Sequence, residues 1–274
     1  MKTYPQQWTQ KDFVYFLHIP KTAGTSVANL LTGMFPQERV LTHYQINNVR
    51  KHEPSLFMNA RFFYGHFTHD VYATRLPRKP NVVLTFLRDP VQHYISTFFH
   101  LKIDPTFTYT SRLTDRKALA TEIHDFVSKC SIEEFLESEY SRLYDNFQTR
   151  YLVRGLSSSY LDCSDVQLLP VAQKMLLELP CFGLTERFED SLELIRDYMH
   201  YQRPVAPIKH NQARNKPKSF SLSDTALAAI ERRTAMDRQL YALASLAFDS
   251  RYQAFVQRRS DEQVAPPAAN LASG

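Results

Sequence analysis

The sequence predicts an α/β protein in a single domain, a parallel sheet flanked by helices, and three observations carry that prediction. Apolar runs at Phe13–Leu17, Arg61–Phe67, Asn81–Leu87 and Cys181–Leu184 are short and rich in aromatic or β-branched residues, as buried strands are. Stretches of helical periodicity separate them. Two of the runs lead straight into residues that start helices. Alternating strands and helices of this kind build a parallel sheet, with ligands held beyond the carboxyl ends of its strands.

The first unit is the most informative. Phe13-Val14-Tyr15-Phe16-Leu17 reads as a strand, and Pro20 to Gly24 breaks it with a proline, a lysine and the only nearby glycine. Val27, Leu30, Leu31 and Met34 then recur at helical spacing, with Thr25 and Ser26 where caps belong. A strand, a small-residue loop with a lysine and a helix start together make a phosphate cradle. The first-turn N–H groups, the helix dipole and the Lys21 ammonium all favour an anion. The spacing is not that of a Walker A loop, in which lysine follows the second glycine; here Lys21 precedes Gly24. Spacing alone equally allows a βα connection that happens to carry a lysine.

Residues 37–60 are polar and irregular in pattern, a helix and loops. The next strand ends in Gly65-His66, which puts a histidine where open α/β sheets keep their chemistry; a histidine packed among aromatics is the alternative, and His69 is its neighbour. Asn81–Leu87 is the clearest strand and runs into Arg88-Asp89-Pro90. Pro90 suits a first helical turn, and Asp89 a cap on that helix. Arg88 at a strand end offers a two-pronged permanent cation to a phosphate, or an ion pair to a neighbour. Ser96 lies two turns into the helix. Ala118–Tyr140 and Val166–Leu179 read as helices, Ser191–Tyr201 as another, and Ser223–Arg258 as long helical segments. Gln148 and Arg150 are polar residues at a helix end.

Composition sets the outer limits. With 274 residues, 43% hydrophobic and 22% charged, the chain is an ordinary globular one with ample core. An excess of 33 basic over 28 acidic residues fits a small polyanionic ligand and is too scattered for nucleic acid. Cys130, Cys163 and Cys181 are an odd, sparse set without metal-ligand spacing, as in a reducing compartment. Met1–Asp12 lacks an apolar signal core and no run of 18 apolar residues occurs, so a cytoplasmic protein without a membrane span is expected. Residues 1–12 read as an extension, 13–259 as the domain, and the Ala/Pro/Ser-rich 260–274 as a disordered tail.

His18-Ile19-Pro20-Lys21-Thr22-Ala23-Gly24-Thr25-Ser26 closely resembles the 5′-phosphosulfate loop of sulfotransferases that use 3′-phosphoadenosine 5′-phosphosulfate (PAPS). The nearest group is the carbohydrate sulfotransferases related to the heparan-sulfate 2-O enzymes. Gly65-His66, the 3′-phosphate motif Arg88-Asp89-Pro90-Val91 with Ser96, Asp145–Leu152, and Gly183–Leu192 are similar to family segments in the same order. The resemblance runs from about Phe13 to about Phe248. It implies a P-loop-NTPase-like sheet, PAPS as co-substrate without metal, and a hydroxyl-bearing acceptor, a carbohydrate or another small molecule. It further implies that Lys21 and residues Thr22, Ala23, Gly24, Thr25 and Ser26 hold the 5′-phosphosulfate, that Arg88 and Ser96 hold the 3′-phosphate, and that His66 is the catalytic base. Arg214 and Lys216, in the basic stretch before Ser219, correspond to a loop over the adenosine phosphates. One departure is His93, where the family often has a second arginine. Many eukaryotic members carry a Golgi membrane anchor, and its absence here favours a bacterial cytoplasmic enzyme or a trimmed chain. The rivals are a P-loop small-molecule kinase, disfavoured by the Walker spacing, and a non-catalytic nucleotide-binding protein of the same fold.

Overall fold

The run at Phe13–Leu17 forms the strand β1 (Val14–Leu17), whose four side chains are all fully buried. The computed structural model describes residues 9, 11–105, 116–159, 165–201 and 220–264. After β1 come α1 (Gly24–Thr32), β2 (Val40–Leu41), α2 (His43–Asn47), α3 (Pro54–Asn59), β3 (Phe62–Gly65) and α4 (His69–Arg75). Then follow β4 (Val82–Leu87), α5 (Pro90–Leu101), α6 (Arg116–Val127), α7 (Ile132–Glu137), α8 (Phe147–Leu156) and α9 (Asp165–Glu178). The chain continues through β5 (Gly183–Leu184), α10 (Phe188–Tyr198), α11 (Asp224–Arg233) and α12 (Ala235–Val264).

The five strands lie in the order β2-β3-β1-β4-β5, and every pairing is parallel. From β1 the chain winds to one side for β2 and β3, then crosses over to β4 and β5. β1 is therefore the strand at which the winding reverses, where open parallel sheets leave a crevice beyond their carboxyl ends. Residue 17 pairs with Gly65 on one side and Thr85 on the other, so the three predicted loops leave the sheet side by side.

The aromatic residues are spent mainly on the core. Tyr15 stacks on Phe63 with centroids 4.3 Å apart, Phe35 stacks on Phe62 at 4.9 Å, and Phe86 meets Phe16 edge-on at 6.3 Å. The predicted cap at Asp89 is present, its carboxylate accepting from Gln92 N at 2.9 Å with Pro90 in the first turn.

Four boundaries differ from the sequence reading. β2 was not anticipated, because a two-residue edge strand has too few positions to show a period. α1 begins at Gly24, so Thr25 and Ser26 sit inside its first turn, and Ala23 occupies the cap position without a side-chain bond. α10 begins at Phe188 rather than Ser191. α12 runs to Val264, past position 259, so residues 260–264 are helix rather than tail.

Two helices cap each other across the chain. Asp237, buried at the start of α12, accepts from Gln148 N at 3.1 Å, Thr149 N at 2.7 Å and Thr149 Oγ1 at 2.7 Å. Asn146, in the left-handed region at φ 47°, accepts in return from Met236 N at 2.8 Å. Burial pushes the Asp237 carboxyl above the usual range, and the bonds from Thr149 and Gln148 oppose that. Cys130 and Cys181 are buried and free, and Cys163 lies outside the described residues. Among the described residues no helix is long and apolar enough to cross a membrane.

Candidate active site

The loop from β1 to α1 is held in an unusual backbone. Lys21 at φ 67° and Ala23 at φ 61° are both left-handed, a conformation that costs roughly 1–3 kcal/mol per non-glycine residue. Neighbours hold it there. Thr22 Oγ1 donates to Ile19 O at 2.7 Å, Arg88 Nη1 to Lys21 O at 3.0 Å and His93 Nε2 to Pro20 O at 2.9 Å. Gly24 is required for space, since a Cβ there would lie 1.8 Å from His18 Cδ2. Among the described residues nothing accepts from the N–H groups of Gly24 and Thr25, which open the helix. Ser26 N and Val27 N turn back onto Ala23 O.

His66 leaves β3 one residue beyond Gly65, whose φ of 153° disfavours a side chain. Tyr15 OH pins the turn by donating to Phe67 O at 2.7 Å. His66 Nδ1 donates to His18 O at 2.7 Å, and the two rings lie 4.3 Å apart. Because a carbonyl only accepts, the proton of the neutral ring is on Nδ1, and Nε2 is the atom that can take another. The protein packed around the ring lowers the His66 pKa; the carbonyl bond raises it and His43 lowers it further. A neutral His66 near pH 7 follows.

Arg88 is held at both ends of its backbone by one side chain. Gln148 Oε1 accepts from Arg88 N at 2.8 Å, and Gln148 Nε2 donates to Arg88 O at 2.8 Å. Glu186 adds a third constraint, accepting from Asp89 N at 3.1 Å and from Tyr241 OH at 2.7 Å. Its other oxygen is 3.9 Å from Arg88 Nε, an ion pair too long to be a hydrogen bond, and that Nε is buried without an acceptor. Burial lowers the pKa of both Arg88 and Lys21, and Arg88 lowers that of Lys21 further. Two desolvated cations beside open helix N–H groups fit a phosphate-bearing ligand.

His93 is a supporting residue. It is 3% exposed, stacks on Phe147 at 5.6 Å, and burial takes its pKa down to about 3, so the neutral ring donates to Pro20 O. Ser96 is buried one turn further along α5, on the same face as His93. His100 follows on that face, 3.6 Å from Asp104, with its pKa lowered to about 4 by burial and then by Lys21.

The structure thus brings Lys21, Thr22, Ala23, Gly24, Thr25, Ser26, His66, Arg88 and Ser96 to the carboxyl edge of three adjacent strands. Arg214 and Lys216 lie outside the described residues. His69 opens α4 and meets Tyr72 edge-on at 5.3 Å. Sequence reasoning missed Gln148 and Glu186, which act on Arg88 through its backbone and through space. The only trace of them was their place in two family-like segments.

Comparison with known proteins identifies the family. The family model described as "Sulfotransferase family" matches residues 8–255. Heparan-sulfate 6-O-sulfotransferase 2 of Gallus gallus is 25% identical over 290 residues, spanning 92% of this chain and 70% of that protein. Heparan-sulfate 6-O-sulfotransferase 1 of Homo sapiens is 27% identical over 306 residues, spanning 92% and 69%. These relatives are 6-O enzymes of animals, and they lend no support to the bacterial origin expected above. With the motifs gathered at one sheet edge and the family matched over most of its length, this chain belongs to the sulfotransferase family and is a transferase.

Proposed function

We propose that this enzyme moves the sulfuryl group of PAPS onto a hydroxyl of a carbohydrate acceptor by direct in-line transfer. The bond from the acceptor oxygen to sulfur forms as the bond from sulfur to the 5′-phosphate oxygen breaks. His66 Nε2 takes the hydroxyl proton, and Lys21 with the N–H groups from Thr22 to Ser26 stabilises charge on the departing oxygen. Arg88 and Ser96 hold the 3′-phosphate, and Arg214 and Lys216 close over the nucleotide. Little covalent chemistry is asked of the protein, so positioning and charge carry the rate. The scheme requires no metal.

The observation that carries this reading is the fixed tautomer of His66 beside the strained Lys21 loop. The base nitrogen and the anion cradle leave adjacent strands, and His18 touches both, its carbonyl bound by His66 and its ring packed against Gly24. The names of the relatives, which act on heparan sulfate, support the carbohydrate acceptor. The buried free thiols of Cys130 and Cys181 support a cytoplasmic placement.

Calorimetric titration in metal-free buffer with 3′-phosphoadenosine 5′-phosphate (PAP), AMP and ATP tests the reading. Binding of PAP at least tenfold tighter than either rival is expected. Tighter binding of ATP, above all with Mg²⁺, would return the kinase to first place.

A further inference from the structure

Two histidines at the rim of the sheet hold opposite tautomers, and the chain sets both. Arg75, the last residue of α4, donates through Nη1 to Asn47 Oδ1. A guanidinium has donors only, so the amide oxygen of Asn47 must face it and the amide nitrogen must face away. That nitrogen meets His43 Nδ1 at 2.8 Å and donates to it. With Nδ1 accepting, the neutral His43 ring carries its proton on Nε2. At His66 the order is reversed: Nδ1–H donates to His18 O and Nε2 holds the lone pair.

The two rings belong to one small surface. His43 stacks on Phe67, the residue after His66, with centroids 4.6 Å apart and planes 21° from parallel. Its Cδ2 lies 3.3 Å from the position a Cβ on Gly65 would take. His43 is therefore seated against the Gly65-His66-Phe67 turn while remaining exposed. A capping box keeps the short helix in register: Gln45 N donates to Thr42 Oγ1 at 3.3 Å, and Thr42 N to Gln45 Oε1 at 2.8 Å. An exposed three-residue relay adds little to stability and immobilises a long arginine side chain, so orientation of the ring is what it achieves.

We propose that His43 is an acceptor-binding residue, its Nε2–H donating to an oxygen of the carbohydrate next to the hydroxyl whose proton His66 receives. Asn47 and Arg75 are positioning residues that hold His43 in its donor tautomer. The inference rests on the sulfuryl-transfer reading and deepens it, by placing one wall of the acceptor site on α2. Partial burial and the Arg75 charge both lower the His43 pKa, which keeps the ring a neutral donor in neutral solution. A neighbouring hydroxyl, a ring oxygen or a carboxylate of a sugar would each accept from it.

Two measurements on this chain decide the matter. Histidine ¹⁵N shifts near pH 7.5 should show Nδ1 unprotonated in His43 and Nε2 unprotonated in His66, and Asn47→Leu should turn His43 into a mixture of tautomers. In transfer assays with PAPS and de-O-sulfated heparan polysaccharide, His43→Ala should raise the acceptor KM by about tenfold, with PAP affinity at the wild-type value. Asn47→Leu should raise it by about threefold, and His43→Gln, which keeps a donor at the same reach, should recover most of the loss. An unchanged acceptor KM in His43→Ala, or a proton found on His43 Nδ1, overturns the inference while the function stands. Wild-type protein that binds PAP but transfers nothing to the polysaccharide overturns the carbohydrate reading itself, and with it the role of His43.

Discussion

His66 and Lys21 carry the sharpest predictions, because in the proposed reaction each acts through a single atom. His66→Ala should lower kcat by about 10²- to 10⁴-fold while calorimetry shows PAP bound as in the wild type. Survival of activity would move the base to another residue, with His69 next in line. Lys21→Ala should lower kcat by about 10²- to 10³-fold and weaken PAP as well, since in the proposed reaction the ammonium serves both ground state and leaving group. Gly24→Ala should cost PAP affinity without removing any polar atom, because the new methyl overlaps the His18 ring. These positions were legible in the sequence for a physical reason. A histidine and an arginine each follow a buried strand directly, a lysine comes in the loop just beyond a third, and strand ends are easy to locate. His93 was not legible, since nothing in a helical pattern tells a phosphate ligand from a ring that donates to Pro20 O.

At the scale of elements, the reciprocal caps of α8 and α12 matter most. Asp237→Ala leaves Gln148 N, Thr149 N and Thr149 Oγ1 without their acceptor in a buried place. A loss of about 2–4 kcal/mol in urea denaturation is expected, summed from one helix cap and the unsatisfied donors. The same change should weaken PAP, because Gln148 clamps Arg88. Asp237→Asn keeps an acceptor for Thr149 and should fall between. Strands with a run of β-branched residues were readable, and Asp89 was readable as a cap because proline follows it. The start of α1 was not, since hydroxyl residues in a first turn imitate a cap while the true cap position is Ala23 in a left-handed conformation. Gln148 read as a polar residue on a helix end, because its partner Arg88 is 60 residues away.

For the molecule as a whole, the half-buried His18 and the buried His93 set the response to acid. His18 and His93 have pKa values near 3 when folded, against 6.5 when unfolded, so between those values the unfolded chain binds more protons. Stability is then full above about pH 6.5 and falls as the pH drops towards 3, by up to about 1.4 kcal/mol per pH unit for each group. Urea midpoints at pH 7.5, 6 and 5 should trace this fall, and His93→Gln should flatten it. The parallel sheet was legible as a class from four apolar runs, whereas the strand order depends on pairings that no local pattern records.

The hydrogen bonds from Arg88 through Gln148 to Asp237 also set an order of assembly. Residue 88 is synthesised 149 positions before residue 237, roughly 7–30 s at ordinary rates of translation. A nascent chain that has finished its sheet up to β4 still lacks the carboxylate that seats Gln148. Most of the residues proposed to hold the nucleotide lie in the first hundred, Arg214 and Lys216 apart, yet the clamp on Arg88 is completed only once the start of α12 has been made.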